Sequence, residues 1–399
     1  MNPDLRARYN AAFTLEQYAA FVQAANTTER WPVDFRLCET PIFLTPEFAA
    51  EARRAAWTIV NQLRTPEFAR HMQTAIPAGV SVPGETPHPL FIQVDFGICE
   101  DPADPGRLTP RLIELQGFPS LYAFQYFLRR CYADAFAAIP ADWQPYPSGL
   151  DDAGYLELLR RVIVGEHAPE NVVLLEIEPE RQKTRIDFAC TETLLGVAPV
   201  SLADVSKRGR ELFYHRDGRE IRIERIYNRV IFDELLRRPD LHPAFDLREP
   251  VDVEWAGHPN WYFRVSKHSL PFLKTTHASP ACFADEFQAG ERLEEYVLKP
   301  LYSFAGLGVD VDPTPEKLAS LPVPHDWILQ KKVTYAEFVP TVEGTRSKAE
   351  MRLMFIWPED GEPILANNLV RMTQGKMVGV DFNKNKNWVG ASIALFPPV

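Results

Sequence analysis

FIQVDFGICEDPADPGRLTPRLIELQGFPS, residues 91–120, is the stretch from which the rest of the chain is read. Its two apolar runs, FIQVDFGIC and RLIELQ, have the composition of strands, and EDPADPGRLTP between them has the proline and glycine of a turn. The pair predicts a hairpin with a long loop. Glu114 and Gln116 lie two apart and share one strand face, and Asp95 sits on the partner strand. The apolar frame around them (Val94, Phe96, Leu112, Ile113, Leu115) implies that these polar groups point into something. Two carboxylates and an amide oxygen on neighbouring strands make a hard-oxygen cluster suited to Mg²⁺, and the plain alternative is a solvated sheet face.

Outward from the hairpin the chain divides into four parts. Residues 1–88 form an N-terminal helical region. In it LEQYAAFVQAA and PEFAAEARRAAWTIVNQLR space apolar residues three and four apart, and the prolines at 77, 83, 87 and 89 end it. The hairpin and a following helix, GFPSLYAFQYFLRRCYADAFAAI, occupy 89–150. After WQPYPSG the pattern over 151–258 alternates: strand NVVLLEIEP, helix RIDFACTETLLG, strand APVSLADV, a hairpin around HRDGRE, then helix VIFDELLRR. This predicts a central Rossmann-like domain. Residues 259–399 are strand-rich with short turns.

Composition narrows the function classes. The 399 residues are 46% hydrophobic and 24% charged, with a formal net charge of −11. The acidic balance argues against a nucleic-acid or anionic-membrane partner, while leaving small anions open to a local group of cations. Five dispersed cysteines form no metal or disulfide pattern. The first residues lack the apolar core of a signal peptide, and no run of apolar residues is long enough to span a membrane, so a cytoplasmic location is expected.

The last third carries further chemistry. In VLKPLYSFAGLGVDV, Lys299 ends a strand, and Gly306 and Gly308 lie in a turn before a strand expected at Val309. Glycines admit phosphate oxygens to backbone N–H groups and the lysine supplies charge, although a plain hairpin has the same pattern. In WILQKKV, Gln330 and Lys331 fit either a lysine-protected edge strand or a hinge strand against an adenine ring. In AEMRLMFI, Glu350 and Arg352 share a face, and Arg371 stands on the adjoining LVRMT. Two arginines there could clamp a phosphoryl group, or form an exposed ladder with Glu350. Tyr227, Asn228 and Arg229 could face the same cleft, or Arg229 could pair with Asp233 at helical spacing. The tail DFNKNKNWVGAS reads as an exposed or a substrate-facing loop. Lone histidines such as His268 and His277 read as structural, without paired metal spacing.

In this order, the segments resemble the circularly permuted ATP-grasp superfamily, in particular the synthetase part of glutathionylspermidine synthases. QVDF…LIELQGFPS is similar to its R-x-D-F…L-E-x-N-x-x-P segment, VSKHSLPFL to N-K-x-x-L-P-x-L, and LKPLYSFAGLGV to K-P-x-x-x-R-E-G-x-x-V. WILQKKV stands where the family has its hinge strand. The resemblance covers residues 91–125 and 260–375. It implies an α/β fold (α+β in parts), a permuted ATP-grasp fold with an N-terminal helical region and a central Rossmann-like domain. It further implies Mg²⁺–ATP ligands at Asp95, Glu114 and Gln116. Phosphate contacts would come from Lys267, Lys299 and the Gly306–Gly308 loop, and adenine contact from Gln330 at the far, apolar end. Arg352 and Arg371 are the candidates to replace the family's loop arginine, since Phe304-Ala305 stands where the family has Arg-Glu. Gln93 and Gln116 depart likewise from its arginine and asparagine.

The implied activity is an ATP- and Mg²⁺-dependent carboxylate–amine ligase. Transfer of the γ-phosphoryl group makes an acyl phosphate that an amine displaces, a reaction that asks for fixed cations rather than a side-chain nucleophile. The expected partners are a small-molecule acid and an amine. The rivals are an ATP-dependent kinase and a degenerate, non-catalytic nucleotide-binding module.

Overall fold

A computed structural model of the chain describes residues 1–288, 290–303, 306–375 and 383–398. Helices α1 (Pro3–Ala12), α2 (Leu15–Thr27), α3 (Pro46–Leu63) and α4 (Pro66–Gln73) and the two-residue strand β1 (Ile42–Phe43) form the N-terminal part. Three of these helices start at Thr or Asn followed by Pro, and a side-chain oxygen of each such residue accepts a backbone N–H of the first turn.

Strands β2 (Phe91–Asp101) and β3 (Asp104–Gln116) form the expected hairpin. Its loop is much shorter than EDPADPGRLTP suggests. Pairing runs to Asp101 and resumes at Asp104, with the Ala103 N–H donating to the Asp101 carboxylate at 3.0 Å. Pro105 and Pro110 are tolerated because β3 is an edge strand, where a missing N–H need not cost a ladder bond. Helices α5 (Tyr122–Ala135) and α6 (Asp152–Ile163) follow.

The middle of the chain forms a parallel four-stranded sheet of β4 (Val172–Glu176), β5 (Ala198–Ser201), β9 (Arg225–Asn228) and β10 (Glu254–Ala256), ordered β10-β9-β4-β5. Helix α7 (Arg185–Leu195) connects β4 to β5. The run VVLLE of β4 is buried throughout, as a strand covered on both faces must be. Strands β6 (Ser206–Arg208), β7 (Glu211–Arg216) and β8 (Arg219–Ile223) form a small antiparallel sheet. The β7–β8 turn places Asp217 at φ 51° and Gly218 at φ 74°, the left-handed pair that a two-residue hairpin turn needs. The helix expected over VIFDELLRR is only α8 (Phe232–Leu236).

Beyond helix α9 (Trp261–Arg264), strands β11 (Ala281–Phe283), β12 (Tyr296–Pro300) and β13 (Trp327–Lys331) make an antiparallel sheet in the order β11-β13-β12, with α10 (Pro315–Ala319) between β12 and β13. No strand begins at Val309. Asp310 makes one bridge back to Leu298, and β12 takes its full partner from β13 instead. Then β14 (Val339–Pro340), β15 (Arg346–Ile356), β16 (Ile364–Thr373) and β17 (Gly390–Ser392) join β2 and β3 in one six-stranded sheet, and β18 (Ala394–Leu395) pairs with β1. The core sheet is thus assembled from residues near 100 and residues near 360.

Alternation gives this sheet two characters. One face presents Val94, Phe96, Met351, Leu353 and Val370 to α3, whose Ala49, Ala52, Ala55, Ala56, Ile59 and Val60 recur at helical spacing. The other face carries Gln93, Asp95, Arg352, Leu369 and Arg371. Its lower end is covered by Tyr122 of α5 and by Tyr155 and Leu158 of α6, packed with Phe91, Met354 and Ile356. Its upper end is left to polar side chains.

Candidate functional site

Cross-strand register sets the polar face. Asp95 lies between Glu114 on β3 and Arg352 on β15, and Glu350 lies opposite Arg371 on β16. Arg352 forks onto Asp95, with Nε on Oδ1 and Nη2 on Oδ2, each at 2.6 Å, across 257 residues of sequence. Arg371 reaches the same Asp95 at 3.3 Å and Glu350 at 2.7 Å. The Tyr335 hydroxyl closes this network by donating to Glu350.

The lysines come from the other side of the cleft. Lys267 opens a 3₁₀ segment, Lys267–Phe272, just after α9. Its Nζ donates to the Ser303 carbonyl at 2.6 Å and stands 3.1 Å from Glu114. Lys299 near the end of β12 donates to the Ile113 carbonyl at 2.9 Å and to Gln330 Oε1 at 2.7 Å. Charged residues from five strands and a 3₁₀ turn therefore meet at one sheet face.

The electrostatics follow from that gathering. Burial opposes ionisation of Glu114, but Lys267, Lys299, Arg352 and Arg371 outweigh it and hold the carboxyl down at about 2. Burial pushes the Lys299 ammonium down to about 8, against the pull of Glu114. Arg371 is raised, because Glu350, Asp95 and Glu114 overcome its burial. Asp95 and Arg352 have side chains 1% and 9% exposed, whereas Glu114 at 26% and Arg371 at 37% line the opening.

Other expected residues fall elsewhere. Gln330 is beside Lys299 rather than at a remote apolar end, and its Nε2 donates to the Leu112 carbonyl at 3.1 Å. Lys331, one residue on, points to the opposite face and pairs with Glu295 at 3.2 Å. Gln116 lies opposite Gln93, two residues below the Asp95–Glu114 pair. Gly306 and Gly308 both have φ 76°, a backbone that favours glycine, while Phe304 and Ala305 lie outside the described residues. Asn228 ends β9. Arg229 faces Asp187 at 3.6 Å and donates to the Pro119 carbonyl, while Asp233 pairs with Arg237 instead. In the tail, Asn383 accepts from Thr373 at 2.9 Å and Trp388 is buried, so this part folds back on β16, and Asp381 is outside the described residues. Tyr335 is a site residue that sequence reasoning misses, because it sits in a loop without periodicity.

A divalent cation expected at Asp95, Glu114 and Gln116 meets an unfavourable donor set. Both Asp95 oxygens are bonded to guanidinium, and one Glu114 oxygen faces Lys267. Among the described residues no group of three or more His, Cys, Asp and Glu side chains is arranged to hold a metal. Nor, among them, is any helix long and apolar enough to cross a membrane.

The fold and site define a mixed α/β protein with a cluster of cations and carboxylates on one face of an antiparallel sheet. No protein-family profile and no curated protein sequence matches the chain. Among solved structures it is similar to a glutathione synthetase-like effector from Globodera pallida in its apo form, with a TM-score of 0.51 and 10% identity. The match covers 96% of this chain and 97% of that one, so the likeness is one of overall fold.

Proposed function

We propose that the chain is an ATP-dependent carboxylate–amine ligase of permuted ATP-grasp type. The observation that carries this reading is the gathering of Lys267, Lys299, Arg352 and Arg371 around Asp95 and Glu114, from positions up to 276 residues apart. Sequence distance gives these groups no reason to meet, and a partly buried cluster of cations with perturbed titration is what a polyanion site needs. The fold-level likeness to a glutathione synthetase-like protein supports it as analogy.

In this reading Lys267 and Lys299 hold phosphate oxygens, and Gly306 and Gly308 let backbone approach them. Arg352 and Arg371 neutralise the charge that develops as a phosphoryl group passes to a substrate carboxylate, giving the acyl phosphate that an amine displaces. Because Asp95 holds Arg352 through two bonds, that guanidinium need not reorganise during the reaction.

The test is ADP and phosphate release across a panel of amino acids, di-acids and amines. The expected result is release only when an acid and an amine are both present, with Arg352→Lys lowering kcat/KM about a hundredfold. ADP release with the phosphoryl group retained on product makes the chain a kinase. No turnover and no nucleotide binding makes it a non-catalytic module.

A further inference from the structure

Each carboxylate that a hard cation would seek in the cleft is already engaged by a cation of the chain. Asp95 is forked by Arg352 and touched by Arg371, Glu350 takes Arg371 and Tyr335, and Glu114 takes Lys267. Among the described residues named here, four cations face three carboxylates, so the cleft carries one net positive charge before any ligand arrives (4 − 3 = 1). A divalent ion at Asp95 would have to displace a bidentate guanidinium and then remain beside it and beside Arg371. Mg²⁺ also keeps most of its waters, and an Asp95 side chain only 1% exposed leaves them no room. The fork, by contrast, is a geometry that a carboxylate and a fixed arginine satisfy fully.

From this we infer that the site holds its polyanionic ligand through the chain's own groups, its side-chain cations foremost, with no protein-bound metal. Asp95 is then a positioning residue that sets Arg352 and Arg371 and is not a metal ligand. The identity of the anion rests on the nucleotide reading; the exclusion of a protein-bound metal does not. Arg371 at the opening and the two lysines meet the ligand directly, and Asp95 fixes the guanidinium planes from below.

Two measurements on the full chain test this. The first titrates Mn²⁺, which paramagnetic resonance detects when free, in the absence of nucleotide. The expected result is no saturable binding to millimolar concentration. A site of one ion per chain that Glu114→Gln or Asp95→Asn abolishes overturns the inference, whereas binding that survives both variants lies outside the cleft and leaves it standing.

The second measures inorganic tripolyphosphate by calorimetry, in Mg²⁺ and in EDTA. Affinity is expected to be at least as high in EDTA, and Arg371→Lys, which keeps the charge and loses the planar guanidinium, should weaken it about tenfold. Asp95→Asn should change affinity by the same factor in both buffers, and an unchanged urea midpoint separates that change from loss of fold. If that variant is insoluble, Glu114→Gln at the cleft mouth serves the same comparison. Binding only with Mg²⁺, or a variant loss confined to Mg²⁺, overturns the inference and spares the nucleotide reading. No binding in either buffer overturns the anion half together with that reading, and the Mn²⁺ result still judges the metal half.

Discussion

Lys299 shows how one side chain can set opposing pH responses. Its ordinary pKa of 10.5 is lowered by burial to about 8 in the fold. Below pH 8 the folded chain bears the cost of a desolvated ammonium, and this cost is relieved as pH rises from about 8 to 10.5, where the unfolded chain still holds the proton. A polyanion, however, needs the proton on Lys299. Raising the pH through about 8 should therefore weaken tripolyphosphate binding, by about thirtyfold between pH 7 and 9.5, while the fold gains stability. Calorimetry across that range checks this, and Lys299→Arg should flatten the profile; a flat profile in the unaltered chain would show that Lys299 is not in the site. Glu114 has the opposite sign. Its depressed carboxyl contributes stability above its ordinary 4.5, and that contribution is lost as pH falls toward 2. At this scale the sequence was informative wherever a side chain sat on a regular strand. Period-two alternation is enough to put Asp95, Glu114, Arg352 and Arg371 on named faces. It says nothing of Tyr335, nor of the amide of Gln330 turning to Lys299, because those depend on loops and neighbouring sheets.

Among elements, the turn after β3 decides whether the two halves of the cleft meet. Gly117 donates to the Val265 carbonyl at 2.6 Å, and a Cβ there would lie 2.5 Å from the Trp261 carbonyl oxygen and 2.8 Å from the Val265 Cβ. The glycine in LIELQGFPS is thus required by close backbone contact with α9, which leads into Lys267. Gly117→Ala should cost about 1–3 kcal/mol and open the Lys267–Glu114 contact, reducing tripolyphosphate affinity more than stability alone explains. Comparison of the urea midpoint with calorimetric affinity separates the two. The next element also depends on a distant partner. Helix α5 starts from Leu121 at φ 65° without a side-chain cap of its own, and Asp187 of α7 accepts the Leu121 and Phe124 N–H groups at 3.0 and 2.9 Å. Sequence pattern found both helices but not this cap, since a cap supplied from 63 residues away leaves no local motif. The strand expected at Val309 was misplaced for a similar reason: β12 had a better partner in β13, beyond the range of a local turn.

Across the whole molecule, Arg225 ties the central parallel sheet to the core sheet. It is 2% exposed and donates to the Val162 and Ile163 carbonyls at the end of α6. It also pairs with Glu254 at 2.6 Å and with Glu359, between β15 and β16, at 2.8 Å. Arg225→Ala should lower stability by about 3 kcal/mol, read as a lower urea midpoint at unchanged slope. A change in slope would mean that the two parts unfold separately. The broad layout, helical, then hairpin, then alternating, then strand-rich, could be read from periodicity alone. Which strands join one sheet could not, because β2 and β15 are neighbours through backbone bonds that no side-chain pattern announces. That adjacency has a consequence for how the chain is made. Pairing of β2 with β15 begins only when Glu350 has been synthesised, 234 residues after Gln116 (350 − 116 = 234). At the usual pace of translation that is an interval of roughly 10 to 50 seconds. Through it the nascent hairpin carries Asp95 without its arginine and an apolar strand edge without its neighbour. The helices and the central parallel sheet are complete by then, and they are what can shield that edge until β15 emerges.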